Sequence, residues 1–498
     1  MILTILILLP LVGALVTAFV PDALARLVGL GFAAATLVAG IVVATQYELG
    51  GGMQLTETHT WIESLGVHYA LGVDGLGLLM VLLTVVLVPI VLLAGWNESE
   101  AAGNNGGRAF FAWTLALEAM SLAVFTATDV LLFYVVFEAT LIPAYFLIGG
   151  FGRAGRGRAA TKFLIYQLAG GLVMLATVIG LYVVSANAGS PSFLISDLAA
   201  IDIDETTQRW LFVGFFIAFA IKAPMFPVHT WLADTTEKAT TGTSVLLVCI
   251  LDKIGTFGML RFCLGLLPDA SQWATPVVVV LALVSIIYGA LVAIGQDDVL
   301  RLIGLTSLSH FGFIVLGIFV FSSTGSAGSI LYMVNHGIAT ALMFLVAGFL
   351  IHRTGTASIR EMSGVEKTAP VLAGFFLVAG LAACGLPGLS PFVSELMVIV
   401  AAFDHHWLVG SVAVLAIVLA AFYALWMYQR TMTGPDRVGM APVADLDRRE
   451  VGILAPLLLA LVLFGFFPMP LLDVINPFVH DSLAGVGIGQ EAQEGGHQ

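Results

Sequence analysis

The run Lys222-Ala-Pro-Met-Phe-Pro-Val-His-Thr-Trp-Leu-Ala-Asp234 follows an unbroken apolar stretch from Trp210 to Ile221. Lys222 therefore sits about a dozen residues into a hydrophobic helix, roughly 18 Å deep and close to the middle of a bilayer's hydrocarbon core. Pro224 and Pro227 come directly after it. Each lacks a backbone donor and clashes with the preceding turn, so the helix breaks here. A lysine beside a broken helix at that depth is costly to bury, and such residues mark ion or substrate paths. The competing reading is a lysine snorkelling from a helix end, and its place inside the run argues against that.

Composition agrees. Of 498 residues, 59% are hydrophobic and 10% charged, with mean hydropathy +1.03, against about 25% charged in a soluble domain. This is an integral membrane protein, and apolar runs recur without a long hydrophilic interval, so it reads as one polytopic domain. Met1 to Val20 lacks a basic n-region and reads as a retained first span rather than a cleaved leader. Cys249, Cys263 and Cys384 lie far apart inside apolar segments, with no metal or iron–sulfur spacing and no disulfide pattern. No glycine-rich phosphate loop adjoins a strand. The expectation is a chain with no cofactor or metal of its own. The net charge of −13 is mostly loop acid, and no nucleic acid is expected as a partner.

Apolar runs of spanning length fall at about 2–20, 24–45, 74–95, 109–127, 130–150, 162–185, 210–234, 241–266, 273–295, 299–321, 327–351, 370–403, 408–430 and 450–472. The fold class expected is an all-α polytopic membrane protein with about 14 transmembrane helices. Loops after odd-numbered spans hold nearly all the basic residues, including Arg26, Arg108, Arg153, Arg156, Arg158, Lys238, Arg301, Arg353, Arg360, Arg430 and Arg437. Loops after even-numbered spans hold only Arg209. The positive-inside rule puts the odd loops in the cytoplasm and both termini outside.

Span 12 is interrupted like span 7, at Gly385-Leu-Pro-Gly-Leu-Ser-Pro391, with Glu395 one turn beyond. Five spans lie from one break to the other, an odd number, so the two units are expected to have inverted topology. Glu138 to Lys222 is 84 residues and His310 to Glu395 is 85; Gln167 and His336 are 169 apart, close to the 172 between Glu138 and His310. Broken helices in corresponding positions of inverted repeats point to the transport path. The boundaries that follow are 1–108 for the first three helices, 109–266 and 267–432 for the two five-helix repeats, and 433–498 for the last helix and a polar tail.

The titratable residues inside the spans keep step with this repeat. Glu138, in Leu131-Leu-Phe-Tyr-Val-Val-Phe-Glu-Ala-Thr-Leu-Ile-Pro143, and Lys222 can set each other's protonation; a static ion pair is the competing reading. Lys253 is a second mid-span lysine, and its neighbour Asp252 points to another helix face. His310 and His336 suit proton relay, although a lone buried histidine is more often simply hydrogen-bonded. Glu395 could accept protons on the second broken helix or merely favour a helix N-terminus after Pro391. Glu118, with Ser121 nearby, is a weaker candidate, and His229 past the break reads as structural. Pro224, Pro227, Pro387 and Pro391 make the breaks.

Lys222-x-Pro-x-x-Pro-x-His-x-Trp231-Leu, Gly72-Val-Asp-Gly-Leu76, Phe137-Glu-Ala-Thr-Leu-Ile-Pro143 and Gly385-Leu-Pro-Gly388 resemble the antiporter-like, proton-translocating subunits of respiratory complex I, over nearly the whole chain. Within that family the resemblance is to the branch carrying glutamate on the second broken helix and lacking the C-terminal lateral helix of the longest member. The resemblance implies a fourteen-helix fold in the membrane arm, in a bacterial cytoplasmic membrane, beside sister antiporter-like subunits. Proton translocation would be driven by remote quinone reduction, with flavin, iron–sulfur clusters and quinone on partner subunits. It implies Glu138 and Lys222 as a switch pair, Lys253 as the connecting lysine, His310 and His336 as the central relay and Glu395 as the exit group. After Trp231 the sequence departs from the family's Leu-Pro-Asp-Ala-His-x-x-Ala-Pro: Leu232-Ala-Asp-Thr-Thr-Glu-Lys-Ala-Thr240 lacks both prolines and the histidine, and Asp252 replaces an apolar residue. The alternatives are an ion-exchange subunit of a multisubunit Na⁺/H⁺ antiporter, which resembles the same fold, a non-transporting membrane scaffold, and a small-solute transporter, for which no substrate clamp is visible.

Overall fold

The computed structural model describes residues 1–50, 52–96, 106–189, 191–435 and 442–486. Arg437 and the polar tail beyond 486 lie outside them. Among the described residues, twelve helices are long and apolar enough to cross a membrane. They are α1 (Ile2–Phe19), α2 (Asp22–Gln46), α3 (Gly75–Ala94), α4 (Gly106–Thr126), α5 (Val130–Phe151), α6 (Arg156–Asn187), α9 (Thr241–Leu264), α10 (Pro268–Ile294), α11 (Val299–Phe319), α12 (Ser323–Thr354), α15 (Trp407–Met432) and α16 (Arg448–Phe466). The remaining apolar sequence forms two interrupted pairs: α7 (Glu205–Lys222) with α8 (Thr230–Lys238), and α13 (Pro370–Ala383) with α14 (Ser390–His405).

Burial sorts the helices. The most apolar windows of α9 and α11 are wholly buried, and those of α3 and α12 nearly so. A helix apolar all round belongs at the centre of such a bundle. The outer helices keep large apolar side chains exposed, among them Leu8, Ile41, Ile165, Val280, Leu415 and Leu459, the surface a lipid tail would cover. The titratable residues Lys253, His310 and His336 thus fall on the innermost helices.

Both breaks are closed in the same way. Met225 N donates to Ala220 O and Leu386 N donates to Leu381 O, each at 3.0 Å, so each helix ends in a wider i→i−5 turn. Carbonyls freed by the break must find other donors. Trp231 Nε1 donates to Ile221 O at 3.0 Å. At the second break Asn335 Nδ2 donates to Ser390 O, at the start of α14, at 2.8 Å. The family's prolines and histidine are missing after Trp231, and α8 runs as an ordinary helix to Lys238. Thr240 then caps the next helix, accepting from Thr243 N at 3.2 Å. An ionic cluster fixes α8: Asp234 meets Lys162 and Arg301, each at 2.6 Å, and Glu237 meets Arg301 at 2.9 Å.

Loop contacts fall into two groups. On one side Arg153 pairs with Asp298 at 2.9 Å and its N–H donates to Lys238 O at 2.6 Å, while Arg353 binds Glu450. On the other, Phe193 N donates to Gly66 O, His68 N to Asp129 at 2.8 Å, Gln208 to Asp269 at 3.1 Å and Gln272 to Val486 O at 2.9 Å.

Two features add to the sequence reading. Between the second and third helices, Gln54–Ile62 (β1) and Val67–Val73 (β2) form an antiparallel hairpin. Its alternation of threonine with charged and aromatic residues suits a half-exposed strand. Gly66, at φ +67°, makes the turn; a Cβ there would lie 2.0 Å from Pro191 O. The last apolar run also ends earlier than expected, at Phe466, and a separate helix, α17 (Met469–Ala484), follows. It packs so tightly on the start of α3 that a Cβ on Gly75 would lie 2.1 Å from Val474 O.

Candidate functional site

Lys222 is the last residue of α7, buried, with its ammonium 3.3 Å from Thr140 Oγ1 and 4.5 Å from the centre of the Phe137 ring. A cation over an aromatic face gains electrostatically when desolvated. Glu138 is close by on α5 but makes no direct ion pair with Lys222; its Oε1 has no hydrogen-bond partner among the described residues. The carboxylate instead rests on Gly171 of α6, where a Cβ would come within 1.8 Å of Oε1. Thr140, which sequence reasoning passed over, is the residue that holds the lysine, and its own hydroxyl donates to Phe137 O at 2.6 Å.

Glu118 on α4 is buried, and among the described residues neither carboxylate oxygen has a hydrogen-bond partner; nor does Ser121 Oγ. The structure does not join Glu118 by any hydrogen bond to Glu138 or Lys222. Gln167 is buried, and its Nε2 has no hydrogen-bond partner among the described residues. His229 packs its ring on Phe226 and Tyr288, at 5.9 and 5.2 Å between ring centres.

The central helices bring the next residues together. Lys253 Nζ lies 2.7 Å from His336 Nδ1 and 4.3 Å from the centre of the Phe311 ring. An ammonium only donates, so with Lys253 charged, Nδ1 accepts and the ring proton sits on Nε2. The His336 and His310 rings meet edge to face with centres 5.2 Å apart. His310 Nε2 lies 3.1 Å from both Ala383 O and Tyr423 Oη. Ala383 O can only accept, which places the His310 ring proton on Nε2. Asp252, adjacent to Lys253, makes no ion pair with it, and its Oδ2 has no hydrogen-bond partner among the described residues.

Glu395 lies in α14, beyond the second break, and accepts a short hydrogen bond from Tyr332 Oη. Tyr332 is one helical turn before His336, its ring centre 5.9 Å from that of His310 and 6.3 Å from that of His336. The other Glu395 oxygen rests on Gly385, where a Cβ would approach to 1.9 Å and where φ is +67°. Pro387 falls in the second break and Pro391 in the first turn of α14, while Pro224 and Pro227 fall in the first break. Tyr332 and Tyr423 were not singled out from sequence; the i, i+4 spacing of Tyr332 to His336 is the one signal that could have found the first.

Two stations thus stand apart: Glu138 with Lys222 near the first break, and a run of neighbours from Lys253 through His336, His310 and the two tyrosines to Glu395, in which the histidines meet by ring contact and neither His336 Nε2 nor His310 Nδ1 has a hydrogen-bond partner among the described residues. Among the described residues no cluster of three histidine, cysteine or carboxylate side chains could hold a metal ion. Cys249, Cys263 and Cys384 are buried and unpaired with one another.

The sequence profile of the family described as NADH:quinone oxidoreductase/Mrp antiporter, TM matches residues 127–420. The chain is similar to the NADH-quinone oxidoreductase subunit M of Mycobacterium tuberculosis strain H37Rv, with 48% identity covering 97% of this chain and 94% of that one. It is 35% identical to NADH-ubiquinone oxidoreductase chain 4 of Arabidopsis thaliana over 95% of each. Among solved structures, a chain of respiratory complex I from Thermus thermophilus with bound NADH superposes with a TM-score of 0.89 at 33% identity, covering 98% of this chain and 100% of that one. A chain of the Mrp complex from Dietzia has the same fold, with a TM-score of 0.84, but only 20% identity over 97% of this chain and 98% of that one. By its profile and its relatives, this chain belongs to the antiporter-like transmembrane family of NADH:quinone oxidoreductase and Mrp antiporters.

Proposed function

We propose that the chain is the M subunit of a proton-pumping NADH:quinone oxidoreductase and moves protons along its buried polar residues. Redox chemistry would take place on partner subunits, which hold the flavin, iron–sulfur clusters and quinone. Its neighbours would be the other membrane-arm subunits, sister antiporter-like chains among them. The observation that carries this reading is the run from Lys253 through His336, His310 and Tyr332 to Glu395, with contacts at hydrogen-bond and ring-contact distances inside an apolar bundle. Burying so many titratable groups is costly, and a structural scaffold has no use for them. In this reading Glu138 and Lys222 control entry, Lys253 connects the two stations, and Glu395 releases the proton. Glu118 is a side position.

The two interrupted helices would cross the membrane like the others, giving fourteen crossings in two five-helix units, 109–266 and 267–432. The sorting of loop contacts supports this. Residue 193, before α7, meets the hairpin group, whereas Lys238, after α8, meets Arg153 in the other group. The matching i→i−5 closures support an internal repeat. The basic loops around Arg153, Arg301 and Arg353 would face the cytoplasm, with both termini outside, in a bacterial cytoplasmic membrane.

Glu138→Gln tests the function. The assembled complex should lose proton uptake into inverted vesicles and reduce quinone more slowly. Full uptake in the assembled variant overturns the role of Glu138 in the path.

A further inference from the structure

Among the described residues no hydrogen bond or ion pair joins the two stations, and the residue best placed between them is Asp252. In α9 a π-helical segment, Leu246–Leu251, ends at this residue, whose N–H donates to Leu247 O at 2.9 Å. A π turn inserts one extra residue and re-aims the side chains after it; such turns gather at functional sites. Asp252 precedes Gly255 by three residues and so shares its helix face. Gly255 is where α9 touches the end of α7: a Cβ there would lie 2.4 Å from Ala223 N and 2.6 Å from Phe219 O. Asp252 therefore faces the end of α7, whose last residue is Lys222. Lys253, next in the chain, turns the other way to His336. The Asp252 carboxylate is buried, its Oδ2 has no hydrogen-bond partner among the described residues, and it interacts electrostatically with both lysines while pairing directly with neither.

We propose that Asp252 is a relay carboxyl between Lys222 and Lys253. The proposal rests on the proton-path reading above. In one passage an N–H bond of the Lys222 ammonium breaks and an O–H bond forms on the Asp252 carboxylate, leaving a neutral amine and a neutral acid. That O–H then breaks as the neutral amine of Lys253 gains the proton and becomes an ammonium. Water carries the proton across any gap and is neither consumed nor formed. The competing role is a static counter-charge for the two lysines.

The test compares Asp252→Asn, Asp252→Glu and Lys222→Ala in membranes carrying the whole complex. It measures proton uptake per quinone reduced and the infrared difference spectrum under turnover. Asp252→Asn should lower uptake several-fold and remove a protonated-carboxyl band present in the wild type; Asp252→Glu should keep most of the uptake and displace that band. Wild-type uptake in Asp252→Asn, with Lys222→Ala inactive, overturns the relay and leaves the path intact. Wild-type uptake in Lys222→Ala overturns the path itself. Lowered uptake in Asp252→Asn with the carboxyl band unchanged makes Asp252 a static counter-charge and overturns the relay. Should Asp252→Asn fail to assemble, the band in Asp252→Glu decides: displaced, it supports the relay; unchanged, it overturns it.

Discussion

Lys253 Nζ stands 2.7 Å from Nδ1 of His336, a residue 83 positions further along the chain. This contact links the titratable residues of α9 and α12, and through the edge-to-face His336–His310 pair it leads toward the second broken helix. A lysine that only stabilised the bundle would gain most from a carboxylate, yet its direct partner here is an imidazole. An imidazole can take a proton and pass it on from its other nitrogen.

Lys253→Met conserves the length of the side chain and removes the exchangeable proton. The assembled complex should lose proton uptake while His336 keeps its ring contacts. Proton uptake into inverted vesicles, alongside a native gel for assembly, reads this out, and normal uptake removes Lys253 from the path.

Gly171→Ala acts on Glu138 without altering any titratable group. The new Cβ would lie 1.8 Å from Glu138 Oε1, far inside contact distance, so the carboxylate must move away. Pumping should fall toward that of Glu138→Gln while the level of assembled complex holds. Gly171→Ala with wild-type pumping means the position of the carboxylate on α6 is immaterial.

Asp74, in the Gly72-Val-Asp-Gly-Leu76 motif, is predicted to matter for assembly. It caps α3 by accepting from Gly77 N at 2.9 Å and holds Arg261 with two hydrogen bonds, at 2.5 and 2.9 Å. Both side chains are about one-tenth exposed. Removing one member of a buried pair costs about 3–5 kcal/mol. Asp74→Ala should therefore lower the amount of assembled complex recovered from membranes and its thermal midpoint, whereas Asp74→Glu should recover part of both. Unchanged midpoints in Asp74→Ala would show the pair to be dispensable.

Much of this was legible in the sequence, because a bilayer leaves few choices. Long apolar runs must be helices, and the prolines at 224, 227 and 387 fall in the two breaks while Pro391 opens the helix after the second. The lysines and histidines stand out because charge is so rare in such runs. What escaped was set by packing. Tyr332 and Tyr423 carry no charge and look like ordinary core aromatics until His310 and Glu395 are seen beside them. Thr140 is one hydroxyl in an apolar helix, and its contact with Lys222 spans 82 residues. The hairpin strands at 54–62 and 67–73 are too short to register as apolar runs of spanning length. The 84- and 85-residue spacings suggested that Lys222 and Glu395 correspond, yet Lys222 ends α7 before its break and Glu395 lies in α14 after its own. Superposing the two i→i−5 bonds (Met225 on Leu386 and Ala220 on Leu381, both 161 residues apart) pairs Glu395 with Asp234 instead. Asp234 meets two cations, Lys162 and Arg301, whereas Glu395 receives a tyrosine hydroxyl.

That tyrosine makes Glu395 the place to test the account. Proton uptake per quinone reduced, in inverted vesicles, is measured for Glu395→Asp and Glu395→Gln side by side. A proton-conducting run ending at Glu395 predicts appreciable uptake for Glu395→Asp, which keeps an exchangeable proton at shorter reach. Glu395→Gln keeps shape and can still accept from Tyr332, but should assemble normally and pump poorly. A carboxylate serving only the N-terminus of α14 is worth about 0.3–1 kcal/mol, and then both variants would pump alike near the wild-type level. That equality would contradict the account.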